Sequence, residues 1–197
     1  MDASVFIEPT LDLKRLAKTL DELGHEGRLQ VVRRWDKATQ ARIFDALSGF
    51  REVTMEHFVP SSKGLLEEVI HDGHNSLPLF NTFQKRFART EAGTIVGYNE
   101  GATRGIAGAG YFTLKPSETP GEVAIDYREI PTVRVPTWPD ITPNSARLGF
   151  LIYEGMVDYM RGLSEHVSVG RAWKKGKLMD AYFVLVRDDR PAGSVTN

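Results

Sequence analysis

Cysteine is absent from the chain, which excludes disulfides, thiolate metal sites and a cysteine nucleophile. Charge of one sign is missing as well. Twenty-five basic residues face 26 acidic ones, for a net charge of −1, so there is no electrostatic footprint for nucleic acid or an anionic membrane. Apolar runs end after a few residues, far short of the ~20 needed for a membrane-spanning helix. The stretch "MDASVFIEPTLDLKRL" has no basic segment leading into an apolar one, unlike a secretory signal. These absences point to a cytoplasmic protein with no nucleic-acid partner and no membrane insertion. Catalytic signatures are scarce too. There is no GxSxG, neither Ser76 nor Ser168 has a context that suggests activation, and His25 in "GHEGR" does not belong to HExxH.

What is present suits a chain of 197 residues with a sizeable core: 41% of residues are apolar and 26% charged. Residues 10–49 carry helical periodicity. Leu13, Leu16, Ala17, Leu20 and Leu23 form one stripe after an expected Thr10 N-cap. Gly24 and Gly27 mark a break, where His25 caps or interrupts a helix. Asp36 opens the next helix and Gly49 stops it. From about residue 65 the period changes. "KRFART", "TIVGYN", "GYFTLK", "EVAIDYREI", "FLIYEG", "HVSVGRAWK" and "AYFVLVRD" read as short strands, with "SETPGE" and "KKGK" as hairpin turns. "VPTWPDITPNSARLG" is a loop, because its three prolines cannot donate to a ladder. The expected fold is α+β: a helical segment over 1–58, then an antiparallel sheet or small β-barrel over 59–197.

The stretch "GYNEGATRGIAGAGYFTL" holds Gly97, Gly101, Gly105, Gly108 and Gly110. A dinucleotide fingerprint needs a helix opening from its glycines. Here "YFTLKP" follows as a strand, and no Gly-Lys-Ser/Thr completes a P-loop. Sheet geometry is the expected use of these glycines.

The run "GFLIYEGMVDYMRGLSEHVSVGRAWKKGKLMDAYFVLVRD" resembles the closing strands of small, uncharacterised bacterial lipocalin-like domains of the GxWxG type. Tyr153, Asp158, Arg161, Gly170, Lys175, Gly176, Tyr182, Phe183 and Arg187 fall in comparable places. "FQKRFA", with Lys85, Arg86 and Phe87, is similar to their "GKRF" element. The GxWxG itself is absent, and the helical first forty residues have no counterpart. The resemblance implies a barrel with a small ligand inside.

"HDGHN" spaces His71 and His74 as a helix would for a shared metal, but Gly73 and Asn75 make a polar turn the expected state, and no metal ligand is assigned. Asp126 alternates with Val123, Ile125 and Tyr127, so it is expected among solvated or arginine-paired groups. Aromatic walls with a few polar groups characterise ligand sites. The residues assigned to binding are Arg86, Tyr98, Asn99, Tyr111, Tyr153, Arg161 and Arg171. Arg161 is expected at the pocket or its mouth, paired with Asp158, Glu154 or an anionic ligand group, and Arg187 at the opposite end in a structural role. The expected function is non-enzymatic binding of a small, mostly apolar molecule, acidic or not, without a cofactor. The alternative is an interaction or self-association module built on the helices, with a homo-oligomer open. An enzyme using interior carboxylates or His166 is the third reading.

Overall fold

The computed structural model describes residues 10–76 and 81–190. Three helices come first: α1 (Leu13–Glu22), α2 (His25–Val32) and α3 (Lys37–Ala46). Thr10 does not cap α1. Asp12 does, its carboxylate accepting the Arg15 N–H at 3.0 Å, because it directly precedes the first turn and its short side chain reaches an orphan donor. Asp36 caps α3 in the same way, 2.8 Å from the Thr39 nitrogen. Three single turns follow at intervals: α4 (Met55–Phe58), α5 (Arg104–Ala107) and α6 (Gly149–Ile152).

Eight strands make up the rest: β1 (Val69–Asn75), β2 (Thr82–Arg89), β3 (Ile95–Glu100), β4 (Phe112–Pro116), β5 (Val123–Asp126), β6 (Met156–Gly162), β7 (Val167–Lys174) and β8 (Lys177–Arg187). Each pairs antiparallel with the next, and β8 returns to β1, so the sheet closes into an up-and-down barrel with no free edge. This is the expected α+β architecture, short helices followed by an antiparallel barrel. No helix among the described residues is long and apolar enough to cross a membrane.

Two local expectations fail. "HDGHN" is the body of β1, hydrogen-bonded on both sides, to β2 and to β8. Two full ladders outweigh the turn propensity of Gly73 and Asn75. "FLIYEG" is not a strand but α6 and the turn after it. Gly149 packs there so tightly that a Cβ would stand 2.5 Å from the Asn144 carbonyl oxygen and 2.7 Å from that of Ala107. The proline-rich segment is the expected loop. It lays Val135 and Trp138 over Ala88, Val96, Tyr98 and Tyr111 on the barrel's outer wall. Asn144 ties it down by donating to the carbonyl oxygens of Tyr111 at 2.7 Å and Tyr127 at 2.8 Å.

Alternation along the strands divides the molecule into two main cores. Outside, Leu16, Leu20, Leu29, Val32, Ile43, Phe44 and Leu47 of the three helices pack on Val167, Val169, Tyr182, Val184 and Val186 of β7 and β8. Each fully buried aliphatic side chain contributes roughly 1.5–3 kcal/mol, and this docking is what keeps such short helices formed. Inside, Val69, Phe87, Phe112, Leu114, Ile125, Met160 and Leu185 fill one end of the barrel. Val53, Phe58 and Val59, on and beside α4, close that end.

Inside the barrel, three glycines make room for three rings. Gly73, Gly97 and Gly170 face inward, directly across from Phe83, Phe112 and Phe183 on neighbouring strands. A Cβ at these positions would stand 2.5, 2.5 and 2.3 Å from those rings. Their absence lets each ring fold flat over the adjacent strand. Gly97 is therefore a close-approach glycine. No helix longer than the single turn α5 opens from the glycine-rich stretch, and β4 follows it.

Candidate functional site

A cavity of about 250 Å³ occupies the open half of the barrel. Its walls include Phe83, Phe183, Tyr153, Ile152, Met156 and Ala172. Tyr153 comes from the turn after α6 and stacks on Tyr127, with ring centroids 5.4 Å apart and planes at 15°. The walls are mostly apolar and converge on a polar floor.

That floor is built from four strands or their immediate ends. Lys85 on β2 faces Asn99 on β3 in register, and Ile125 on β5 faces Asp158 on β6; Tyr127, one inward position further on and beside Met156, reaches back to Asp158 with its phenol. The Lys85 ammonium donates to Asn99 Oδ1 at 2.9 Å and to the Tyr127 hydroxyl, and pairs with Asp158 Oδ2 at 3.2 Å. Tyr127 in turn donates to Asp158 at 3.2 Å, and Asn99 Nδ2 is anchored on the Gly110 carbonyl oxygen at 2.9 Å. The rings of Phe83, Phe112, Tyr127 and Phe183 surround the ammonium, with centroids 5.0–5.6 Å from Nζ. Three of these are phenylalanines, and each is the ring seated over one of the three inward glycines.

Burial governs the protonation of this group. It pushes the Lys85 ammonium down from its ordinary range, against the pull of Asp158, and pushes the Asp158 carboxyl up, against the pull of Lys85. Burial and the neighbouring Asp158 hold the Tyr127 phenol well above its usual value, so it remains a hydrogen-bond donor.

Of the seven residues assigned from sequence, Asn99 and Tyr153 line the cavity. The others lie elsewhere. Arg86 is outside the barrel, 3.1 Å from Glu68. Tyr98 and Tyr111 are on the outer wall beneath Trp138, where burial raises both phenols to about 12. Arg161 also points outward. It pairs with Glu122 at 2.7 Å, donates to the Phe44 carbonyl oxygen at 2.8 Å, and lies 4.2 Å from the Phe44 ring centroid. Arg171 reaches the Met179 carbonyl oxygen at 2.9 Å and covers the Tyr182 ring. Neither Asp158 nor Glu154 is Arg161's partner, because Asp158 alternates to the inner face and takes Lys85 instead. Arg187 lies at the closed end, where it donates to the His57 carbonyl oxygen at 2.7 Å.

Lys85, Tyr127 and Asp158 were not among the assigned residues. A faint signal existed. Lys85 sits between Phe83 and Phe87 at a spacing of two, so one strand face carries two rings and a lysine. The same alternation applied to "MVDYM" puts Asp158 between Met156 and Met160.

Other clusters serve structure. On a strand, residues three apart point to opposite faces, so His71 lies inside the barrel and His74 outside, and they share no ligand. Among the described residues, His25, Asp72 and Asp188 come close enough to share a cation, but their oxygens are already engaged. Asp72 accepts from His25 at 2.8 Å and Gln84 at 3.0 Å, and Asp188 from Arg190 at 2.7 Å. The trio fastens α2 to β1 and to the chain just after β8. Asp126 is fully buried on the outer face, held by Arg128 at 2.6 Å and Lys115 at 2.7 Å. Burial would raise its carboxyl, but these two cations prevail and hold it at about 2.

Fold and site together define a closed eight-stranded antiparallel barrel, plugged at one end and hollow at the other, with a buried Lys–Asp–Tyr–Asn floor. Comparison with models of known families, with curated proteins and with solved structures finds no match.

Proposed function

We propose that the chain binds one small, mostly apolar molecule carrying a neutral polar group, in the hollow half of a lipocalin-like barrel. The observation that carries this reading is the cavity itself: aromatic and aliphatic walls converging on a few fixed polar atoms, the usual composition of a small-molecule site. Its volume of about 250 Å³ lies just below the ~300 Å³ at which the usual range for such sites begins. A neutral head group follows from the floor. Lys85 is already balanced by Asp158, and its three hydrogens point at Asp158, Asn99 and Tyr127. An acid would meet no uncompensated cation there and would lose its hydration. The reading of α1–α3 as an interaction module draws no support from this arrangement, because their apolar stripe is spent on β7 and β8.

The test is a titration with the neutral fluorophore N-phenyl-1-naphthylamine, comparing the wild type with Ala172→Leu, which fills the cavity from β7. Saturable enhancement in the wild type, displaced by a medium-chain alcohol and lost in the variant, is the expected outcome. Unsaturable enhancement, or equal enhancement in both proteins, would overturn the reading.

A further inference from the structure

Lys85 is more than a hydrogen-bond donor at the bottom of a cavity. It is a primary amine enclosed by four rings, within reach of a carboxylate and a phenol, and it faces the space a ligand would enter. Resting on the binding role argued above, we propose that the cavity captures aldehydes or ketones covalently, as an imine on Lys85 Nζ. Desolvation among apolar rings is what moves a lysine towards a neutral, nucleophilic amine, and the adjacent carboxylate can accept the proton it gives up.

The residues present complete the chemistry without any further reactant. Asp158 Oδ2, 3.2 Å from Nζ, takes one ammonium proton and leaves the nitrogen lone pair free. That lone pair forms the N–C bond to the carbonyl carbon as the C=O π pair moves to oxygen. The protonated Asp158 gives its proton to that oxygen, and the carbinolamine nitrogen returns a proton to Asp158. A second transfer from Asp158 to the hydroxyl expels water as the nitrogen lone pair forms C=N. One ammonium and one carbonyl thus become one protonated imine and one water, with the Asp158 carboxylate as counter-ion. Tyr127, whose buried phenol stays protonated, steadies the developing oxyanion by hydrogen bonding. The aromatic cage that surrounds the ammonium suits the iminium equally, since both are cations facing ring π clouds. The same rings exclude the water that would hydrolyse the product.

The experiment uses benzaldehyde on the full chain at pH 7. Displacement of N-phenyl-1-naphthylamine first establishes whether benzaldehyde enters the cavity. Sodium cyanoborohydride, which reduces imines in preference to aldehydes, then fixes any adduct for peptide mapping. N-benzylation at Lys85 about tenfold or more above any exposed lysine is expected, because exposed lysines stay protonated at this pH. Prior unfolding in urea should erase the preference. Asp158→Asn, which removes the proton acceptor while keeping the shape, should slow the labelling at Lys85 without abolishing displacement. Displacement without an adduct at Lys85, or labelling spread evenly over exposed lysines, would overturn the covalent proposal and leave the binding role standing. Failure of N-phenyl-1-naphthylamine to bind at all, with Lys85 unlabelled, would overturn both.

Discussion

Acid should unfold this protein through a histidine that has nowhere to put a second proton. His71 lies at the closed end of the barrel, fully buried between Phe58 and Phe87, with ring centroids 5.6 and 4.8 Å away. Its Nε2 is 3.1 Å from the Phe58 carbonyl oxygen, which can only accept, so the proton sits on Nε2. Its Nδ1 is buried without a hydrogen-bond partner. Arg187 and His166 add positive potential, while Asp72 opposes it. Burial dominates and lowers the imidazole from 6.5 to about 3. Because the folded value is depressed, the stability it supports is intact above pH 6.5 and is lost as pH falls towards 3. Between pH 7 and pH 5 the linkage integral amounts to about 2 kcal/mol, nearly one proton per molecule at the lower pH. Other histidines contribute to the pH dependence as well. His57, His74 and His166 are lowered by burial, whereas His25 is raised, burial notwithstanding, by Asp72 and Asp188. The measurement must therefore be a difference. His71→Gln retains an amide that can donate to Phe58 and cannot ionise. Urea unfolding at pH 7 and pH 5 should show the wild type losing about 2 kcal/mol more than the variant. Equal losses in the two proteins would refute the placement of His71 as a neutral, partnerless imidazole.

Two further perturbations address the open end. Lys85→Met should destabilise the fold by about 3–5 kcal/mol by leaving Asp158 buried and uncompensated, whereas Lys85→Met combined with Asp158→Leu should recover most of that loss. Chemical denaturation of the single and double variants checks it, and additive losses would contradict the buried pair. Gly170→Ala places a Cβ 2.3 Å from the Phe183 ring and 2.7 Å from the Met160 sulfur. It should cost about 1–3 kcal/mol in stability and weaken N-phenyl-1-naphthylamine binding by pushing Phe183 into the cavity. Unchanged thermal unfolding and binding would show that the ring does not lie flat on this glycine.

Strand identities were largely legible because half-buried strands carry their own signal. Val123, Ile125 and Tyr127 alternate with Ala124, Asp126 and Arg128, and the structure keeps that division. Turns were legible for a similar local reason: Lys175 and Gly176 adopt positive φ, 50° and 85°, at the β7–β8 hairpin. β1 was not legible, because glycine and asparagine in "HDGHN" carry turn propensity, and only ladders to β2 and β8 on both sides override it. α6 misled for the opposite reason, an apolar run with strand-like composition that folds as one turn.

The site itself divides along the same line. Residue alternation alone determined that Asp158 and Lys85 each share a strand face with apolar side chains, and composition alone determined that no cysteine would be involved. Which arginines and tyrosines faced inward depended on strand register and on what covered the outer wall. Tyr98, Tyr111 and Arg161 lie outside because the proline-rich loop and α3 offer them partners there. The tertiary structure alone decided that Lys85 on β2 meets Asp158 on β6, 73 residues later in the chain. Barrel closure brings those strands across one interior, and three glycines leave space for the rings that enclose the pair. No local periodicity encodes a contact between two residues so far apart, because it arises only when all eight strands are in register.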